Sequence, residues 1–138
     1  MIDASVATKW FLRDRTDEPD AEKAVSILRA SSNEQVSFHQ PPHFLAEVAA
    51  VLARLKPQEA QDDLADLLEL EFHIHDTPVV YQRACDLAVE LGHHLFDTFY
   101  HAVALSLPDS ELVTADEAYF RKAKALGGIR LLGLEKDE

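Results

Sequence analysis

Apolar residues recur at helical intervals along most of the chain, and short alternating runs separate them. Phe96, Phe99, Tyr100, Val103 and Leu107 form one stripe, which predicts an amphipathic helix over the stretch from His94 to Leu107 with Asp97 near its start. A short strand, Glu111 to Ala115, follows and is cut off by Asp116, after which Ala118 to Leu126 returns to helical spacing. Upstream, Phe44, Val48, Val51, Leu52 and Leu55 define the buried face of another helix. Glu47 falls on the border of that face. The chain opens with a very short strand, Met1 to Asp3, directly before a helical stretch, Ser5 to Leu12, for which Ser5 is the expected N-cap.

The remaining pattern fills in the intervals. Arg13 to Pro19 reads as a polar loop, and Pro19 as the first residue of a helix ending near Ser32, with Ala24, Ile27 and Leu28 inward. Gln35 to His39 alternates as a strand would, and Pro41 and Pro42 close it and open the Glu47 helix. Pro57 starts a helix with Leu64, Leu67, Leu68 and Leu70 inside and Asp62, Asp63, Asp66 and Glu69 in water. Phe72 to His75 is a short strand. Thr77 and Pro78 then begin a helix through Val80, Ala84, Leu87, Ala88 and Leu91, stopped by Gly92. Gly127 and Gly128 stop the last helix before a final strand, Ile129 to Leu134.

Helices separate the short strands throughout. Right-handed crossovers then predict an α/β fold of three layers: a parallel sheet of four or five strands with helices on both faces. A chain of 138 residues suits a single domain spanning residues 1–138. The lone Cys85 excludes an internal disulfide framework and points to a reducing, cytoplasmic setting with the thiol buried. No apolar run approaches the roughly 18 residues of a membrane span, and no signal peptide is visible.

The formal net charge of -12 argues against a simple nucleic-acid-binding module, which would hold phosphates with Lys and Arg. It does not argue against a nuclease, because a divalent cation held by carboxylates inverts the local sign and can itself receive a phosphate. Asp3, Glu47, Asp97 and Asp116 come from four separate elements. Asp3 and Asp116 both end strands, and in open α/β sheets that rim is where ligands gather. Carboxylates crowded there repel one another unless a divalent ion compensates them. Oxygen-only ligation favours Mg2+, with Mn2+ as the other candidate, over zinc.

These residues sit within runs that make the chain resemble the PIN-domain ribonucleases, most closely the VapC-type toxins of VapBC toxin-antitoxin pairs. The runs are Ile2 to Leu12, Leu45-Ala-Glu-Val48, Leu95-Phe-Asp-Thr-Phe-Tyr-His-Ala-Val-Ala-Leu105 and Leu112-Val-Thr-Ala-Asp-Glu-Ala-Tyr-Phe120. The resemblance runs from end to end. It implies a PIN-like fold and a metal-dependent endoribonuclease in which Asp3, Glu47, Asp97 and Asp116 are the catalytic, metal-binding quartet. It also implies that Ser5 and Thr114 make supporting or substrate hydrogen bonds, that the toxin is a homodimer, and that a small antitoxin protein neutralises it. Only Met1 and Ile2 precede Asp3, so a weakly held first strand is expected.

Other readings compete. A housekeeping RNA-processing PIN nuclease and a catalytically silent PIN-fold binding protein share the same motifs. A phosphoacceptor receiver domain would need a Lys at the end of the last strand, where Arg130, Leu131 and Leu132 stand instead. Taken singly, Asp97 would be a first-turn acid, Asp116 an N-cap and Glu47 a surface acid. His73, His75, His93 and His94 lack the Cys or paired His partners of a zinc site. Trp10 and Phe11 read as core, and His101 as a solvated residue one turn after Asp97.

Overall fold

The computed structural model of the protein describes residues 2–12 and 18–133. Among these residues, seven helices and four strands follow in the order α1 (Ala4–Ala7), α2 (Ala21–Ser32), β1 (Phe38–Gln40), α3 (Phe44–Leu55), α4 (Ala60–Leu68), β2 (Phe72–Ile74), α5 (Pro78–Leu91), α6 (Leu95–Ser106), β3 (Leu112–Thr114), α7 (Glu117–Ala123) and β4 (Ile129–Leu131). A 3-10 turn, Thr8–Phe11, extends α1, and another, Lys124–Leu126, extends α7. No described helix is long and apolar enough to cross a membrane.

The strands are parallel, as expected, but they do not form one continuous sheet. β1 pairs with β2, and β3 pairs with β4, giving two two-stranded sheets. Ile2 lies between them. On one side it makes a single parallel bridge to Val113. On the other, the buried side chain of Gln40 takes the place of a ladder: its Oε1 accepts from the Ile2 N–H at 3.1 Å and its Nε2 donates to the Ile2 carbonyl at 2.7 Å. The physical reason is length. One residue cannot sustain a backbone ladder to two neighbours, so a side-chain amide satisfies the buried peptide groups that would otherwise be orphaned. Of the predicted opening strand, Ile2 makes this bridge, and Met1 lies outside the described residues.

The core follows the predicted stripes with local corrections. Phe44, Val48 and Leu52 of α3, Val80, Ala84 and Leu87 of α5, and Phe99, Tyr100 and Val103 of α6 are buried, together with Trp10. Phe96, placed in the α6 stripe by its spacing, is instead 57% exposed, and Leu107 lies just past the end of α6 as its C-cap. Cys85 is exposed, not buried, because Ala84 and Leu87 already occupy the inward stripe of α5. On α4, Leu68 points outward, and Asp63 is not a solvated acid but pairs with Lys56 at 2.8 Å.

The helix boundaries show the same mixture. Gly92 ends α5 in the left-handed region at φ 59°, which only glycine adopts without strain, and Thr77 and Pro78 begin it. α2 begins at Ala21, with Pro19 in the preceding turn and Asp20 as N-cap. Asp3, not Ser5, is the N-cap of α1, its carboxylate accepting from the Val6 N–H. The predicted loop over Arg13 to Pro19 falls largely outside the described residues, as does Leu134 of the last predicted strand.

Gln40→Ala leaves the Ile2 N–H and carbonyl buried without partners. It is expected to cost about 2–4 kcal/mol of stability in urea unfolding. A loss under about 0.5 kcal/mol would mean that the two sheets close without the amide.

Candidate active site

Asp3, Glu47, Asp97 and Asp116 line one cavity of about 230 Å3, together with Ala4, Ser5, Thr8, Val51 and Tyr100. The elements deliver them from four directions. Asp3 follows the Ile2 bridge, Asp116 follows β3, Glu47 projects from the first turn of α3, and Asp97 from the first turn of α6. Because the strands are parallel, the first two acids share the rim at their carboxyl ends. A larger cavity of about 560 Å3 lies at the opposite rim, lined by residues such as Val36, Ser37, Pro108 and Ser110. Its ionisable lining residues are His39, Asp109, Glu111 and Arg130, of which Glu111 and Arg130 pair at 2.9 Å.

Asp3 is the most constrained member. The Ser5 hydroxyl donates to its Oδ1 and the Thr114 hydroxyl to its Oδ2. Each hydroxyl also accepts a backbone N–H from the segment after β3: Ser5 Oγ from Ala115 at 3.0 Å, and Thr114 Oγ1 from Asp116 at 3.0 Å. The two hydroxyls thus tie the first acid to the last across more than a hundred residues. Burial pushes the Asp3 carboxyl up to about 6 from 3.8, against the lowering effect of the Ser5, Thr114 and Val6 hydrogen bonds, with Asp97 adding a further upward push. The residue keeps some surface toward the cavity while its carboxylate is enclosed.

Glu47 is held differently. Burial raises its carboxyl, but hydrogen bonds from His43 and Tyr100 outweigh that and leave it below its usual value. The Tyr100 hydroxyl donates to Oε1 at 2.6 Å, and His43 Nε2 stands 3.2 Å from the same oxygen. Burial and the neighbouring carboxylate of Glu47 push the Tyr100 phenol far up, so it stays a donor. Asp97 meets two imidazoles, with His93 Nε2 at 2.6 Å and His94 Nε2 at 3.0 Å from Oδ2. Asp116 caps α7, its Oδ1 accepting from the Tyr119 N–H at 3.1 Å, so one oxygen is engaged and the other is open.

The cavity lining contains four carboxylates and no Lys or Arg. Hard oxygen donors without a neutralising side chain are what a divalent cation requires, and any of the four could contribute. Pattern along the chain picked out the four acids as candidates, and the family resemblance implied Ser5 and Thr114 beside them. The pattern missed Tyr100, assigned to the apolar stripe, and His43, whose position four residues before Glu47 on one helix face was the available signal. His93 and His94 stand four and three residues before Asp97 in the same way. His101 neither reaches the cavity nor lies in water: it is fully buried, bonded to the Tyr119 hydroxyl at 3.0 Å and the Gly127 carbonyl at 2.7 Å.

This is a parallel α/β domain whose strand ends carry an acid-lined cavity with the oxygen donors that a divalent cation takes. The chain belongs to the PIN domain family, whose description matches it over residues 1–126. PIN domains are typically nucleases that use divalent metals on nucleic acid. No curated protein matches the chain.

The Asp3 shift has a consequence for metal-free protein. Between pH 3.8 and about 6 the unfolded chain has released this proton while the folded chain retains it, so stability falls as pH rises through that window. The loss amounts to about 3 kcal/mol at most, less where cavity water reaches the carboxylate. In chelator the melting temperature of the native chain is therefore expected to fall between pH 4 and pH 7, and Asp3→Asn, whose amide does not titrate, to lose that part of the slope. Equal pH profiles for the two proteins would contradict it.

Proposed function

We propose that the protein is a divalent-cation-dependent endoribonuclease, with Asp3, Glu47, Asp97 and Asp116 as its catalytic, metal-binding residues, and that it acts as the toxin of a toxin-antitoxin pair. The observation that carries the nuclease reading is the meeting of four acids from distant parts of the chain around one cavity in a PIN domain. The cation, Mg2+ or Mn2+, would supply Lewis acidity toward the phosphodiester and a more acidic water.

The chain's own residues do the rest. Ser5 and Thr114 hold both oxygens of Asp3, so the carboxylate presents its remaining lone pairs to the cavity. Tyr100 fixes Glu47, leaving its second oxygen free to hold or orient a water. His93 fixes Asp97, and Asp116 is anchored through one oxygen by the start of α7. The acids are therefore arranged before any ligand arrives, which lowers the cost of ordering them in the reaction.

The toxin reading rests on the motifs quoted above and on charge. A chain at -12 is poorly suited to hold RNA by a basic face and well suited to a small basic antitoxin. A homodimer and a cytoplasmic setting accompany that reading.

Asp97→Asn and Asp116→Asn are expected to remain folded by circular dichroism and to lose at least roughly 100-fold of Mg2+- or Mn2+-dependent RNA cleavage. Undiminished cleavage by either variant would remove the mechanism. For the toxin role, expression of the native chain alone should arrest growth. Co-expression of a small basic antitoxin should relieve the arrest, and harmless expression of a cleavage-competent chain would separate nuclease from toxin.

A further inference from the structure

Two imidazoles alter the donor chemistry around Asp97. Gly92 ends α5, and only His93 and His94 separate it from α6. His94 is the N-cap of α6, so the connection is too short for either ring to leave the neighbourhood of the first turn. Their Nε2 atoms stand 2.6 Å and 3.0 Å from the same Asp97 oxygen, and the rings stack with centroids 4.8 Å apart. One donor atom from each of His93, His94 and Asp97 lies within 4.8 Å of the others. Among the described residues, no three of the cavity carboxylates come that close.

The two rings play different parts. His93 is partly buried, with its ring edge-on to Tyr119 at 5.0 Å. Its Nδ1 accepts from Lys122 Nζ at 3.2 Å, which puts the ring proton on Nε2, the atom that donates to Asp97. His93 is thus a positioning residue for the carboxylate. His94 is 64% exposed and has no such second partner among the described residues, so its Nε2 can present a lone pair. Its 3.0 Å separation from Asp97 Oδ2 also suits a shared ion, since two donors at right angles around a cation about 2.1 Å from each stand about 3.0 Å apart. His43, the other imidazole near an acid, has its Nε2 engaged by the Phe96 carbonyl at 2.8 Å.

We infer that His94, which lies outside the cavity lining but 3.0 Å from the cavity's Asp97, supplies a nitrogen ligand beside Asp97 to a cation held there, and that the centre therefore prefers a first-row transition dication such as Mn2+ or Co2+ to Mg2+. The inference rests on the reading of the cavity as a cation centre. Mg2+ gains little from exchanging water for imidazole, whereas d-block ions bind nitrogen donors readily, so a mixed nitrogen and oxygen site separates the two. His93 contributes by keeping Asp97 turned toward the shared position.

The test uses Mn2+ on the intact protein, read by pulsed electron paramagnetic resonance for 14N coupling and by calorimetric titration for affinity. The native chain should show a directly bound imidazole nitrogen and bind Mn2+ at least about tenfold more tightly than Mg2+. His94→Ala, at an exposed position, should keep its circular dichroism spectrum, lose the 14N coupling and weaken Mn2+ about tenfold while Mg2+ changes less than about threefold. His93→Ala should retain the coupling. Mn2+ bound without 14N coupling, coupling that survives His94→Ala, or equal weakening of both ions would overturn the ligand assignment and leave the acidic centre standing. Absence of Mn2+ binding, or binding indifferent to Asp97→Asn and Asp116→Asn, would overturn the cation centre itself and this inference with it.

Discussion

The grip of two hydroxyls on the Asp3 carboxylate is the constraint on which the rest of the structure turns. Ser5 comes from the first helix and Thr114 from the end of β3, and each spends its proton on one Asp3 oxygen while accepting a backbone N–H beyond that strand. The arrangement works only with Asp3 as a pure acceptor, which is its ionised form. Burial opposes that form and drives the carboxyl up to about 6. The molecule therefore holds a charge in a place that disfavours it, a tension that a bound cation would relieve.

That grip depends in turn on how the opening segment is seated. Ile2 is fully enclosed yet has only one bridge to Val113, and the Gln40 amide completes its hydrogen bonding from the other side. Asp3 leaves this seat at the carboxyl rim, where β3 also ends. A sheet split into two pairs and joined by a side chain is thus sufficient to bring the first and last acids together. Tyr100 and His43 complete the set by fixing Glu47 from α6 and from the residue before α3. The acids are held individually by neutral or weakly basic groups and share no Lys or Arg.

Much of this was legible from residue spacing. The stripes on α3, α5 and α6, the Gly92 stop and the Pro78 start follow from local rules of periodicity and capping, which need no knowledge of distant residues. Asp3, Asp97 and Asp116 were legible as candidates because each sits at an element boundary that local pattern marks, and Glu47 because of its place on the border of the α3 stripe and the motif around it. Phe96, Cys85 and His101 were not. A helical stripe says which face is apolar but not how far a neighbouring element extends to cover it, so Phe96 stays in water while His101 is enclosed by Tyr119 and Gly127.

Family, helix positions, parallel strands and the four-acid candidates thus lay in the order of residues alone, because each rests on interactions within a few positions or on motifs contiguous in the chain. The tertiary structure alone decided that the sheet is split and bridged by Gln40, that the Thr114 hydroxyl reaches Asp3, and that the Tyr100 hydroxyl reaches Glu47. Those outcomes depend on which groups meet across long loops and how much water they exclude. Hydrogen-bond partners and desolvation are set by three-dimensional proximity, and no local pattern encodes them.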